Sequence, residues 1–121
     1  MIKMKNIFMS ILFLVMFTLV QTSVIAQTKM KTDTITVFGN CGQCKERIEE
    51  ASYIKGVKHA EWSKKTKILT VLYNPKKTSM DKIESAIAKA GHDSNAKQAD
   101  DVDYKKLPSC CAYRTGTCDH D

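Results

Sequence analysis

The chain is 121 residues long and 43% apolar, with 19 Lys and Arg against 13 Asp and Glu for a formal charge of +6. That length holds one small domain and excludes the deep core of a sizeable enzyme, because chains of this size bury only about 60–65% of their unfolded surface. The positive charge is mild and spread along the chain, without the basic stripe that neutralises a run of phosphates, so nucleic acid is not an expected partner.

Lys3 and Lys5 precede an apolar run from Ile7 to Val20, and Gln21, Thr22 and Ser23 then lead to Val24, Ile25 and Ala26. The run is short for a hydrocarbon core of about 30 Å, and the small residues that follow it suit a peptidase site after Ala26. Residues 1–26 therefore read as a secretory signal, with an uncleaved anchor as the alternative. No Cys lies near the cut, which disfavours a lipid anchor. The mature chain is expected to begin at Gln27, periplasmic or secreted, with no membrane attachment after cleavage and with residues 27–32 as a linker. In such a compartment thiols can be oxidised, so the state of the five cysteines becomes a question.

The domain is expected over residues 33–98. Thr34 to Phe38 alternate hydroxyl and apolar side chains, the period-2 pattern of a half-buried strand, and Gly39 and Asn40 break it. Gly42 to Ile54 reads as a helix with Cys44, Ile48 and Ala51 in one stripe, stopped near Gly56. Val57, Ala60 and Trp62 open a second strand. Ser63 to Thr66 form a polar turn into a third, Lys67 to Tyr73, ended by Asn74 and Pro75. The Lys-rich stretch Lys64 to Lys67 reads as a solvated turn, or as a patch that steers an acidic partner. Thr78 or Ser79 caps a second helix with Met80, Ile83, Ala86, Ile87 and Ala90 at helical spacing before Gly91. A final edge strand over Ser94 to Gln98 would complete a βαββαβ ferredoxin-like sandwich of the α+β class. Ala99 to Lys106 is charged and apolar-poor, and reads as a linker or loosely packed arm.

Cys41 and Cys44 carry the chemistry. The first falls in a loop and the second in the first turn of a helix, so both sulfurs converge where unpaired amides and the helix dipole favour thiolates. Two thiolates suit a soft ion: Cu(I) takes two or three sulfurs and Hg(II) two in a line, while Zn(II) wants four ligands. The same pair could instead form a structural disulfide or serve a thiol–disulfide oxidoreductase. Against the latter, CGQC lacks the preceding Trp and internal Pro common in thioredoxin-like sites.

The stretch from Thr34 to Gln98 resembles the heavy-metal-associated domain family, which includes copper chaperones, modules of copper-transporting ATPases and periplasmic mercury-binding proteins. Its likeness rests on Val37-Phe38-Gly39-Asn40-Cys41-Gly42-Gln43-Cys44, Ile48-Glu49, Ile54-Lys55-Gly56-Val57, Thr70-Val71-Leu72-Tyr73-Asn74-Pro75 and Ile87-Ala88-Lys89-Ala90-Gly91-His92. The resemblance implies the same sandwich, Cys41 and Cys44 as metal ligands, and cargo passed by ligand exchange to a metal-transporting ATPase or other metal-receiving protein. In place of the family's usual Gly-Met-Thr-Cys loop, this chain has Gly39 and Asn40 before Cys41, without the Met that anchors the loop in the core. The resemblance also offers His92, after the second helix, as a further ligand; the alternative is a surface His that covers the site or touches a partner.

Residues 99–121 form a Cys-rich tail. Cys110, Cys111, Cys118 and His120 are enough for a second metal site. A disulfide would pair Cys118 with one of the adjacent cysteines, since an eight-membered vicinal ring is strained. Other readings are an arm that folds back to lend a thiolate to Cys41 and Cys44, and a disordered end. The expected function is a non-enzymatic, exported carrier or sequestering protein for Cu(I), with Hg(II), Zn(II) or Cd(II) as other cargoes, acting as a monomer or a metal-bridged dimer.

Overall fold

The alternation that predicts the first strand also sets its burial. In the computed structural model of the protein, which describes residues 2–17 and 27–116, β1 runs from Lys31 to Thr36 with Asp33, Ile35 and Thr36 half-buried and the rest exposed. The other elements are α1 (Ile2–Phe17), α2 (Gly42–Ser52), β2 (Val57–Trp62), β3 (Ile68–Tyr73), α3 (Met80–Lys89) and α4 (Asp101–Tyr104), then 3₁₀ turns at Ser109–Cys111 and Tyr113–Thr115. Three strands form an antiparallel sheet in the order β1-β3-β2. Leu69 of β3 lies opposite Ile35 on one side and Trp62 on the other.

The period-2 rule places Leu69, Val71 and Tyr73 of β3 on one face of the sheet, and all three are buried, as are Ala60 and Trp62 of β2. Onto this core pack Cys44 and Ile48 of α2 and Ile83 and Ile87 of α3, each at 0% exposure. Fully burying one such aliphatic side chain contributes about 1.5–3 kcal/mol. The helix α2 ends at Ser52, two residues before the expected Ile54; the buried Ser52 hydroxyl donates to the Ile48 carbonyl at 2.6 Å. Ser79 caps α3 as expected, its hydroxyl accepting the Lys82 N–H at 3.4 Å. A clasp joins α2 to β2: Lys45 donates to the Trp62 carbonyl at 2.8 Å and pairs with Glu49, whose Oε1 accepts the Trp62 N–H at 2.9 Å.

The expected fourth strand does not form, so the full βαββαβ sandwich is corrected to a three-stranded sheet. Only an isolated bridge between Val37 and Ser94 remains of it. Turn chemistry is the reason: Ser94 Oγ accepts the N–H groups of Ala96 and Lys97 at 3.3 and 3.0 Å, while the Ser94 N–H donates to the Lys97 carbonyl at 2.7 Å. The segment closes on itself rather than extending along β1.

Ala99 to Lys106, expected as a linker or loosely packed arm, and the tail residues after it are instead anchored to the domain. Arg114 makes a bidentate pair with Asp93 at 2.9 and 2.7 Å, reaches Asp101 at 3.0 Å and the Ala99 carbonyl at 2.7 Å, and lies 4.3 Å from the Tyr104 ring centroid. Tyr113 stacks on His92 at 5.5 Å, and its hydroxyl donates to the Gly91 carbonyl at 2.9 Å while accepting the Asp93 N–H at 2.8 Å. Gly91 must be glycine here: its φ is +96°, and a Cβ would sit 2.7 Å from the Asp103 carbonyl oxygen.

Helix α1 covers much of the expected signal and exposes Phe8, Phe13 and Leu14. Among the described residues no helix is long and apolar enough to cross a membrane. The expected cleavage position after Ala26, and Cys118 and His120, lie outside the described residues.

Trp62 is fully buried and its Nε1 donates to the Val37 carbonyl at 3.0 Å. The substitution Trp62→Phe leaves that carbonyl without its donor and is expected to cost about 1–3 kcal/mol, read as a lower urea midpoint at unchanged m-value.

Candidate metal site

The loop from Val37 to Cys41 is held from several sides before it presents a sulfur. The Val37 N–H donates to the Lys67 carbonyl and the Phe38 N–H to the Asp93 carbonyl, both at 2.8 Å. Gly39 packs so tightly that a Cβ would meet Cys44 Cβ at 2.9 Å, Trp62 Cη2 at 3.2 Å and Ile48 Cδ1 at 3.3 Å. Where a Met would anchor the loop by filling the core, this chain brings its backbone directly onto Trp62. Lys67, expected in a solvated turn, donates through Nζ to the Gly39 carbonyl at 2.6 Å and lies 5.5 Å from the Trp62 ring centroid.

Cys41 is the N-cap residue of α2, with extended backbone, and Cys44 lies in the first turn. Their sulfurs are 3.5 Å apart, and the Asn40 N–H donates to Cys44 Sγ at 3.3 Å. The arm adds two more: Cys110 Sγ lies 3.5 Å and Cys111 Sγ 3.7 Å from Cys41 Sγ, and 4.0 Å from each other. All four are free thiols, at separations far beyond the roughly 2.05 Å of a disulfide bond. The ligand atoms of Cys41, Cys44 and Cys111 all lie within 4.8 Å of one another, and all three residues are buried. Cys110 is half-buried at the rim, its Sγ 3.0 Å from Gln43 Oε1.

This crowding differentiates the thiols. Burial pushes the Cys41 thiol up, but the Cys44 backbone N–H and the Cys110, Cys44 and Cys111 thiols outweigh it and bring it down to about 7. Burial pushes the Cys111 thiol strongly up, reinforced by Cys44 and Cys41, and contact with Cys41 raises Cys110. Cys41 is thus the thiol of the cluster that ionises most readily, and a cation entering would meet a partly ionised sulfur there.

His92 is not part of the sulfur group. Expected either as a ligand or as a surface residue, it is instead fully buried, with Nδ1 2.8 Å from the Phe38 carbonyl and Nε2 without a hydrogen-bond partner. Burial lowers its pKa against the opposing pull of that carbonyl, so the neutral ring donates through Nδ1. Its role here is to support the loop and carry the Tyr113 ring. The anchors Asp93, Tyr104, Tyr113 and Arg114 were not singled out from sequence. Their only signal was an Arg and three aromatic or acidic side chains inside segments with no apolar periodicity.

No family model matches the chain, and no curated protein matches it. Solved structures do. A CopZ metallochaperone is 29% identical, covering 53% of this chain and 98% of its own length, with a TM-score of 0.51. Oxidized MerP from Ralstonia metallidurans CH34 is also 29% identical, covering 55% of this chain and 96% of its own, at a TM-score of 0.53. The N-terminal domain of a potential copper-translocating P-type ATPase from Bacillus subtilis, in its Cu(I)-loaded state, is 29% identical over 60% of this chain and 94% of its own, again at 0.53.

The lowered Cys41 thiol makes a pH test. Thiolate absorbance of the reduced protein is expected to rise by one group centred near pH 7. In a Cys41→Ser variant that step centred near pH 7 should vanish.

Proposed function

We propose that the chain belongs to the heavy-metal-associated domain family and is an exported carrier or sequestering protein for a soft metal ion. The ion is Cu(I) first and Hg(II) next, held through Cys41 and Cys44. The observation that carries this reading is the pair of sulfurs at the N-terminus of α2, 3.5 Å apart, with the Cys41 thiol lowered to about 7. A polarizable, partly ionised dithiol selects soft cations over hard ones. Support for copper and mercury comes from the structural neighbours, a copper-translocating ATPase domain and MerP among them.

Delivery proceeds by ligand exchange. An incoming thiolate from a metal-transporting ATPase or other receiving protein bonds to the ion as one resident thiolate leaves, so the ion is never free and no electron moves. Such a carrier turns over no substrate. A receiving ATPase fits the neighbours, since this fold occurs as the N-terminal domain of one. Export follows from the basic and apolar N-terminus that ends at Ala26.

Native mass spectrometry of the reduced protein loaded anaerobically with Cu(I) is expected to show one tightly held ion, absent from a Cys41→Ser/Cys44→Ser double variant. An ion retained by the double variant, or none held by the unaltered protein, refutes the assignment; the latter result favours dithiol redox chemistry. Export has its own readout. The intact mass of the protein recovered from its producing cells should correspond to a chain starting at Gln27, and a mass that includes Met1 to Ala26 overturns cleavage there.

A further inference from the structure

The arm brings two sulfurs to a site that the domain alone builds from two. Building on the carrier reading, we propose that the cargo sits in a three-thiolate seat of Cys41, Cys44 and Cys111, and that Cys110 is the rim thiolate through which it leaves.

The geometry favours three ligands over two. With metal–sulfur bonds of about 2.3 Å, a linear two-sulfur site needs its sulfurs about 4.6 Å apart and a trigonal one about 4.0 Å. Cys41 and Cys44 stand at 3.5 Å and Cys41 and Cys111 at 3.7 Å, with all three sulfurs within 4.8 Å of one another, so the two edges at Cys41 reach a trigonal spacing after shifts of a few tenths of an ångström, whereas a linear ion must force the first pair apart by more. Cys111 is fully buried on the core, and its 3₁₀ turn packs against α2. Cys110, the residue before it, sits half-buried at the mouth, where its sulfur meets Gln43 and its sulfur neighbours.

Arrival of the arm's Arg114–Asp93 anchor, 21 residues apart in sequence, sets this placement without any sulfur taking part. Loading is then a simple exchange. The ion bonds first to the Cys41 and Cys44 sulfurs and then to Cys111, and each sulfur that still carries a proton gives it to water as its bond to the ion forms. On exit, Cys110 loses its proton to water and bonds to the ion, one of the buried sulfur bonds breaks, and that sulfur takes up a proton. Electrons stay in pairs throughout and no oxidant is needed.

The test adds Cu(I) alone to the reduced full chain and reads the sulfur count by X-ray absorption, affinity by competition with a chromophoric Cu(I) chelator, and release rate into excess chelator. The unaltered protein should show three sulfurs. Cys111→Ser should fall to two, with affinity weakened at least as much as the roughly 10–100-fold that a lost outer-shell partner costs a metal site. Cys110→Ser should keep three sulfurs and the original affinity while releasing the ion about tenfold more slowly, a barrier rise of about 1.4 kcal/mol. Arg114→Ala, which frees the arm without touching a sulfur, should move sulfur count and affinity in the same direction as Cys111→Ser, and so guards against a misfolded cysteine variant.

Two sulfurs in the unaltered protein, or a Cys111→Ser variant with unchanged count and affinity, overturns the seat and leaves the carrier reading standing. A Cys110→Ser variant that releases at the original rate overturns the exit role. If the unaltered protein holds no Cu(I) at all, the carrier reading itself falls, which is a distinct outcome.

Discussion

Trp62 lies beneath the site loop, and most of what the molecule presents depends on that placement. Its ring is the floor on which Gly39 rests, its indole N–H holds the Val37 carbonyl, and its backbone is clasped by Lys45 and Glu49 of α2. A buried aromatic that also satisfies a backbone acceptor couples packing to loop geometry. The position of Cys41 is therefore set by the hydrophobic core rather than by the loop's own stiffness. The absence of an anchoring Met is compensated by backbone approach, which only a residue without Cβ permits at that spot.

A second constraint works from the opposite side. Asp93 spends its carboxylate on Arg114 and on the Ala99 N–H at 2.7 Å, and its backbone on Phe38 and Tyr113. This residue sits where a strand would start, and its bonds turn the chain outward into the arm. The outer edge of β1 consequently lacks a continuous partner among the described residues. Lys31 and Asp33 on that strand, ion-paired at 3.0 Å, put charge where an open edge would otherwise invite another strand.

The order strand, helix, strand, strand, helix was legible because each element has a clean period and a chemical stop, such as Gly56 at φ +101° and Gly91 at +96°. The pairing of Cys41 with Cys44 was legible for the same reason: their spacing is local. Ser94 to Gln98 misled because composition allowed a weak strand while side-chain turn bonds from Ser94 decided otherwise. The approach of Cys110 and Cys111 spans 69 and 70 positions, and rests on an ion pair and ring stacks that no periodicity encodes. From sequence alone the folded-back arm could stand only beside a disulfide, a separate metal site and a disordered end.

The sulfurs of the arm are held 3.5 and 3.7 Å from that of Cys41, and this changes what another molecule must achieve at the site. For short flexible tethers the effective concentration of an attached group is on the order of millimolar, and a tether already folded against the domain raises it further because little ordering entropy remains to be lost. A thiolate offered by a second copy competes against that standing local concentration. On the carrier reading, a second copy at dilute concentration competes poorly for an ion that the chain's own sulfurs hold, and a receiving protein has to offer its thiolate at the rim, beside Cys110.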